Sequence, residues 1–337
     1  MNKQTIVDIA NLSGFSRATV SRVINGDINV KDSTRLAIEN LITEVGYKPS
    51  TIARGLAKGH VDIFALILGD VRNPFFSDIT YWVQNIMQER GYMVALFNSD
   101  FDADIEVSHM KALSDMNIAG IMLISSIVEK KHLLQLEKIN IPIVTLHRQL
   151  RGIKSDSVMQ DNFQASYMLT KHFIGLGHKR IAFLMGPSNS TSSIKRFEGY
   201  KQALLDGDIT FDPSVVYKGD FKLETGFNIG LDYLVHLDRM PRGMICGNDY
   251  MAIGFLDACR LKGIKVPEEI SIAGFDDIEI ASLNSIQLTT VHHDIYEMCK
   301  SACDIMIDRV KNPTIAFKNI VYNPKLVIRN TTSNPPI

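Results

Sequence analysis

Near residue 60 the hydrophobic periodicity of this 337-residue chain changes, and that switch constrains the fold more than any other feature. Before it, apolar residues recur only at helical spacing. After it, short apolar runs alternate with amphipathic stretches, the signature of parallel α/β architecture. A chain of this length exceeds one core of ordinary size, so the pattern predicts a small all-helical head and a larger α/β body.

In the head, Thr5 caps a helix carrying Ile6, Ile9, Ala10 and Leu12 on one face, and Ser13 and Gly14 stop it. Ser16 caps a second helix running from Arg17 to about Asn25, with Ala18, Val20, Val23 and Ile24 as its apolar stripe. A third helix carries Leu36, Ile38, Leu41, Ile42 and Val45 before Gly46 and Tyr47. Residues 50–58 follow Pro49 and are too short for a stable isolated helix, which makes them a candidate hinge. Residues 1–60 hold eight basic and five acidic side chains, net +3, although the whole chain is −1. A basic head on a mildly acidic body predicts that only the head meets nucleic acid, because phosphate neutralisation supplies most sequence-independent affinity.

In the body, strands are expected at 63–69, 92–98, 118–125 and 141–146, and again at 180–185, 215–219, 243–246 and 270–275. Helices such as 78–90, 163–176, 251–262 and 295–310 separate many of them. Two runs of four strands predict two similar doubly wound lobes with a ligand cleft at the strand carboxyl ends. Residues 333–337 read as a frayed tail.

Several function classes are excluded. No apolar run follows Met1 and none later reaches bilayer length, so a cytoplasmic protein is expected, without membrane contact. Cys246, Cys259, Cys299 and Cys303 read as structural rather than as a disulfide framework. No glycine-rich GxGxxG follows the first strand, and the GxG at 175–177 sits at a helix end. A P-loop, HExxH, GxSxG and paired CxxC are all missing, so neither enzyme chemistry nor a cofactor is expected. His292 and His293 would face opposite ways on a strand, which argues against a metal there. Two rivals remain: a periplasmic sugar-binding protein, and a DNA-bending protein without a ligand.

The runs TIVDIANLSGFSRATVSRVING and VGYKPSTIARGLAKG closely resemble the N-terminal module of the lactose-repressor (LacI/GalR) family of bacterial regulators. The body matches as well, through Asp161–Asn162, GHKRIAFLMGP from Gly177, RFEGY from Arg196, CGNDYMAIGF from Cys246 and VPEEISIAGFDD from Val266. The resemblance implies a helix-turn-helix head at 1–48, a hinge helix and linker at 49–60, and a periplasmic-binding-protein-like effector and dimerisation domain at 61–337. Its lobes would be interleaved, one at about 61–160 and 291–320, the other at about 161–290 and 321–331. In the head, Arg17 and Arg22 can donate bidentate bonds to guanine, and Ala18 can touch a thymine methyl. Thr5, Ser16, Thr19, Ser21 and Asn25 suit phosphate oxygens. By resemblance Leu56 is an apolar wedge in the minor groove. Lys31 stands where the family has a capping serine, and Asp32 offers a cap one residue later.

The effector candidates are Phe75, Ser125, His147, Arg148, Ser192, Arg196, Phe221, Asn248, Asp276 and His293. Arginine, aspartate and asparagine pair with vicinal hydroxyls or an acidic group, and the phenylalanines offer faces for a sugar ring. Singly, Phe75 and Phe221 also read as core aromatics, Asp276 as a turn residue and Arg148 as a surface ion pair. Two imidazoles with Arg148 and Arg196 could favour an anionic effector such as a sugar acid or sugar phosphate, so a sugar and a sugar phosphate both stay open. Together these features predict a homodimeric repressor on palindromic double-stranded DNA, controlled by a sugar or sugar derivative.

Overall fold

Three short helices close the head because each ends on a residue that stops it and turns an apolar stripe inward. The computed structural model describes residues 4–24, 26–47, 61–124, 135, 139–147 and 154–336. The chain divides into two units, Met1–Asp62 and Ile63–Ile337, each described here by itself. The expected hinge at 49–60 with Leu56, and the candidates Asn25, Ser125 and Arg148, lie outside the described residues.

Helix α1 (Ile6–Ser13) begins with a reciprocal cap in which Asp8 N donates to Thr5 Oγ1 and Thr5 N donates to Asp8 Oδ2 at 2.8 Å. It ends on Gly14 at φ +72°, a left-handed position where glycine carries no Cβ penalty. Helix α2 (Arg17–Ile24) starts where Ser16 Oγ accepts from Thr19 N at 3.1 Å. Ile9, Val20, Val23 and Ile38 meet in the core of this unit, the last contributed by α3 (Asp32–Glu44). Asp32 does not cap α3. Lys31 occupies the cap position without a side-chain bond, and Asp32 lies inside the first turn, where its charge still complements the helix dipole.

In the second unit, β1 (Val61–Leu68), β2 (Met93–Asn98), β3 (Ile118–Leu123), β4 (Ile143–Leu146) and β5 (Asp156–Gln160) belong to one six-stranded sheet. Helices α4 (Pro74–Glu89) and α5 (Ala103–Ser114) fall between the first three strands. Every residue of β3 is buried, as a strand covered on both faces requires. The chain then crosses to α6 (Asn162–Gly175), β6 (Ala182–Met185), α7 (Thr191–Leu205), β7 (Val216–Lys218), α8 (Leu223–Val235), β8 (Gly243–Cys246), α9 (Asp249–Lys262) and β9 (Ser271–Ala273). Their four strands form a parallel sheet in the order β7-β6-β8-β9. β10 (Thr290–His292) follows, α10 (Ile295–Lys311) returns to pack on α4, and β11 (Asn319–Tyr322) joins β5 as the edge of the first sheet. β12 (Lys325–Val327) closes an antiparallel ribbon with β10.

The first lobe therefore has six strands rather than four. β5 is mostly polar, and β11 is a four-residue strand that joins the sheet from far along the sequence, so neither was expected. Bridges from Asp276 to His292 and from Ala273 to Thr289 tie the ribbon to the second sheet, so residues 291–292 lie there, while Val321 and Tyr322 belong to the first sheet. The three crossings are bonded to one another: Asp161 N donates to Tyr322 O at 3.1 Å, and Gln160 Nε2 donates to His292 O at 3.2 Å.

Candidate functional site

The carboxyl ends of both sheets converge on Arg196, which α7 carries on the turn after its cap. Ser190 sets that turn by accepting a bond from Ser193 N at 3.3 Å. The Arg196 guanidinium is 4% exposed, and each of its three nitrogens donates to a protein acceptor. Nε donates to Asn162 Oδ1 at 2.8 Å, Nη1 to Gly247 O at 2.6 Å and Nη2 to Asp276 Oδ1 at 3.0 Å. Its carbon lies 4.6 Å above the Phe275 ring, a cation–π contact that holds the plane of the group. His293 Nε2 lies 3.1 Å from the same Asp276 oxygen, and a carboxylate there selects the tautomer with the proton on Nε2. The adjacent imidazole goes elsewhere: His292 Nδ1 bonds Asp277 Oδ2 at 2.9 Å.

Around this network, Phe75, His147, Ser192, Phe221, Asn248 and Asp276 line one small cavity together with Arg196. His293 stands behind it, its ring centre 6.0 Å from that of Phe75 and 5.6 Å from that of His147. His147, Phe221 and Asp276 sit at φ +59°, +68° and +111°, left-handed conformations that cost a non-glycine residue energy and recur at functional sites. Burial lowers both imidazoles: His147 falls well below the ordinary histidine value, with His293 and Arg196 adding to the effect, and His293 falls despite its bond to Asp276. The two rings are neutral at pH 7. Of the cationic groups behind the anionic expectation, Arg196 is therefore paired with Asp276 and the two imidazoles are uncharged, while Arg148 lies outside the described residues.

The two lobes prepare their cleft faces in the same way. Phe101, three residues past the end of β2, lies over Gly69, where an added Cβ would come within 2.3 Å of the ring. Phe221 follows β7 similarly and lies over Gly186, where the approach would be 2.1 Å. Their ring centres meet across the cleft at 6.3 Å. With the rings in contact, the inner cavity holds only about 30 Å³, the room of a single water.

Some candidates carry different duties from those expected. Asn248 lines the cavity, but its oxygen caps α9 through Met251 N at 3.0 Å and its amide donates to Phe221 O at 3.2 Å. It positions Phe221. Ser192 is bonded to Ser190 at 3.0 Å. Sequence reasoning missed Asn162, Asn73 and Phe275 as site residues. Asn162 stood in the quoted Asp161–Asn162 pair, and its identity there was the available signal. Asn73 caps α4 by accepting from Phe75 N at 3.1 Å and is 3% exposed. Asn73→Ala should lower the stability of this unit by about 1 kcal/mol, the usual cost of losing such a cap. Urea unfolding of the full chain checks this.

In the head, Ser16, Arg17, Ala18 and Arg22 are exposed on α2 and its cap, while Thr19 and Ser21 are half-buried. Thr5 is engaged with Asp8, and the Ser16 and Thr19 hydroxyls bond each other at 2.9 Å. A phosphate contact from these groups would share an oxygen already in use. Among the described residues no helix is long and apolar enough to cross a membrane, and no three His, Cys, Asp or Glu are placed to hold a metal.

Comparison with known proteins agrees with this arrangement. Residues 5–50 match the family described as bacterial regulatory proteins, lacI family, and residues 170–332 match the periplasmic binding protein-like domain. The HTH-type transcriptional repressor PurR of Vibrio atlanticus (strain LGP32) is 30% identical over 328 residues, covering 97% of this chain and 98% of the relative. Among solved structures, a transcriptional regulator CelR–cellobiose complex is 26% identical with a TM-score of 0.73, covering 97% of this chain and 99% of that one. A lac repressor dimer bound to operator and the anti-inducer ONPF superposes with a TM-score of 0.86 at 24% identity, over 98% of this chain and 100% of that one; it supports the fold alone.

Proposed function

The chain belongs to the lacI family of bacterial regulatory proteins, and from that membership we propose a transcriptional repressor whose hold on operator DNA is set by a small molecule in the body. The observation that carries this reading is the exposure of Arg17, Ala18 and Arg22 on one helix of a basic head, in a chain whose second unit surrounds a buried polar cavity. Two heads on a homodimer read the half-sites of a palindromic operator, since one helix covers only a few base pairs. Arg17 and Arg22 contact guanine, and the short hydroxyls set the register on the phosphates. The effector, a sugar or related molecule, has different affinities for the open and closed lobes and so shifts the population able to bind DNA. The protein works in the cytoplasm, with no catalytic step.

The test is selection of random duplexes by the purified protein, with and without a panel of sugars. A palindromic site whose enrichment changes with one sugar supports the reading; no enriched site under any condition sinks it. On the selected site, Arg22→Ala should weaken binding roughly five- to a hundred-fold and relax the preference at one base position in each half-site. Arg22→Ala binding every site as before would remove Arg22 from the contact set.

A further inference from the structure

The fraying expected at 333–337 does not reach Ser333, because the chain after β12 is tied down residue by residue. Arg329 Nη2 donates to Asp277 Oδ1 at 2.6 Å and Nη1 to Leu288 O at 2.8 Å. The backbone then runs beside β9, the edge of the second sheet: Ile272 N donates to Thr331 O at 2.8 Å, and Ser333 N donates to Ser271 Oγ at 3.0 Å. Thr331 is 3% exposed, and its Oγ1 accepts from Thr289 N at 2.9 Å. Residues 329–333 thus form a strap that covers the open side of an edge strand.

Two imidazoles clasp this strap. His172, on α6, bonds Thr332 Oγ1 through Nε2 at 3.0 Å. His178 Nε2 lies 3.0 Å from Ser333 O, and since a carbonyl only accepts, that nitrogen carries the proton. Phe173 packs against both rings, with centres 6.0 and 5.2 Å away. Burial pushes both imidazoles below their ordinary value of 6.5; His178 adds to the fall of His172, while the bond to Ser333 works against the fall of His178. Other charged groups on the neighbouring elements are engaged elsewhere or face solvent. Lys171 donates to Asp206 O, Arg180 pairs with Asp212 and Glu269 accepts from Lys265 N, while Lys179 and Glu268 are exposed. A second proton on either ring would therefore place two like charges beside each other under the strap, with no described carboxylate bonded to either.

The strap also anchors a crossing. It continues from β12, whose partner β10 carries His292, and Asp277 holds both ends of this link by accepting from Arg329 and bonding His292 Nδ1 at 2.9 Å. We propose that residues 329–333 are an acid-labile anchor of the third crossing, released from β9 when His172 and His178 take up protons while the rest of the second sheet stays folded. A released strap leaves imidazoles that bind protons the clasped ones refuse. The hold is therefore complete above 6.5 and declines as pH falls below it.

Hydrogen exchange of the full-length protein at pH 5.5 and pH 7.5, read by mass spectrometry and scaled for the chemical exchange rate, tests this. Peptides covering 271–273 and 329–333 should lose protection at least about ten-fold at pH 5.5, while those from β6 and β8 keep theirs. The quantity compared is the ratio between the two pH values, so a variant that loosens the strap evenly does not disturb the test. His172→Gln combined with His178→Gln keeps an amide donor at both positions without a titrating ring, and its ratio should fall to about one. His172→Gln alone, at the less buried of the two positions, should show a ratio between those of the double variant and the unaltered protein. A strap as protected at pH 5.5 as at pH 7.5, protection lost from β6 and β8 together with the strap, or a ratio unchanged in the double variant would each overturn the assignment.

Discussion

Arg196→Ala should destabilise the body by about 3–5 kcal/mol, because it leaves the Asp276 carboxylate buried at 5% exposure without its cation. The same change takes a donor from Asn162 Oδ1 and another from Gly247 O, so the two lobes lose their shared cleft floor and the DNA response to any effector should vanish with it. The pH dependence identifies the cause. In the unaltered protein burial holds His293 below its ordinary value of 6.5, so the unfolded chain binds a proton that the folded one refuses. Stability from this residue is present above that value and declines as pH falls through it. In Arg196→Ala the repulsion from the guanidinium is gone while the bond to Asp276 remains, so the folded value of His293 moves up towards the ordinary one and less stability is lost at low pH. Urea denaturation at pH 6 and pH 8 should therefore show the larger penalty at pH 8. An equal penalty at both would mean that the arginine does not set the titration of His293.

Arg309→Ala should cost a similar amount, about 3–5 kcal/mol, through a different part of the first lobe. Arg309 Nε and Nη2 grip Asp156 in a bidentate pair at 2.9 and 3.1 Å, with both residues no more than 5% exposed. The remaining donors reach Pro313 O at 3.1 Å, Ile315 O at 2.5 Å and Ala316 O at 3.1 Å, and the guanidinium lies 4.4 Å from the Phe317 ring centre. One side chain thus ties the end of α10 to the turn leading into β11, while Asp156 accepts from Lys318 N at 2.8 Å. Removing only the arginine leaves a buried charge. Arg309→Met combined with Asp156→Leu should recover part of the loss, since neither residue then carries charge. Thermal unfolding of the single and double variants decides this, and a double variant no better than the single would assign the loss to the turn contacts.

Elements built from uninterrupted apolar runs were legible in the sequence. β3 reads as a strand because each of its residues is buried, and α2 was readable from Ser16 at one end and Gly26 just beyond the other. β5 was not legible: Asp156 and Gln160 are buried polar residues whose partners lie more than a hundred positions away. The site divides similarly. Seven described effector candidates line one cavity, yet they were found through family resemblance, since periodicity says nothing about which strand ends meet. The positive φ of His147 and Phe221, and the glycine beds under Phe101 and Phe221, depend on backbone geometry that no local pattern encodes. Arg196 was named as a ligand donor, but the bonds of its three nitrogens to Asn162, Gly247 and Asp276 became visible only with the fold.

The three crossings between the lobes have a mechanical consequence. They lie side by side, joined by the bonds from Asp161 to Tyr322 and from Gln160 to His292. Three coupled tethers act as a flexure bearing: bending about their common line is soft, whereas sliding or twisting one lobe past the other must stretch at least one of them. The molecule in the cleft can select how far the lobes swing but not the direction. Substitutions that retune the cleft towards a new molecule should therefore change the input while the stroke delivered to the rest of the protein keeps its path.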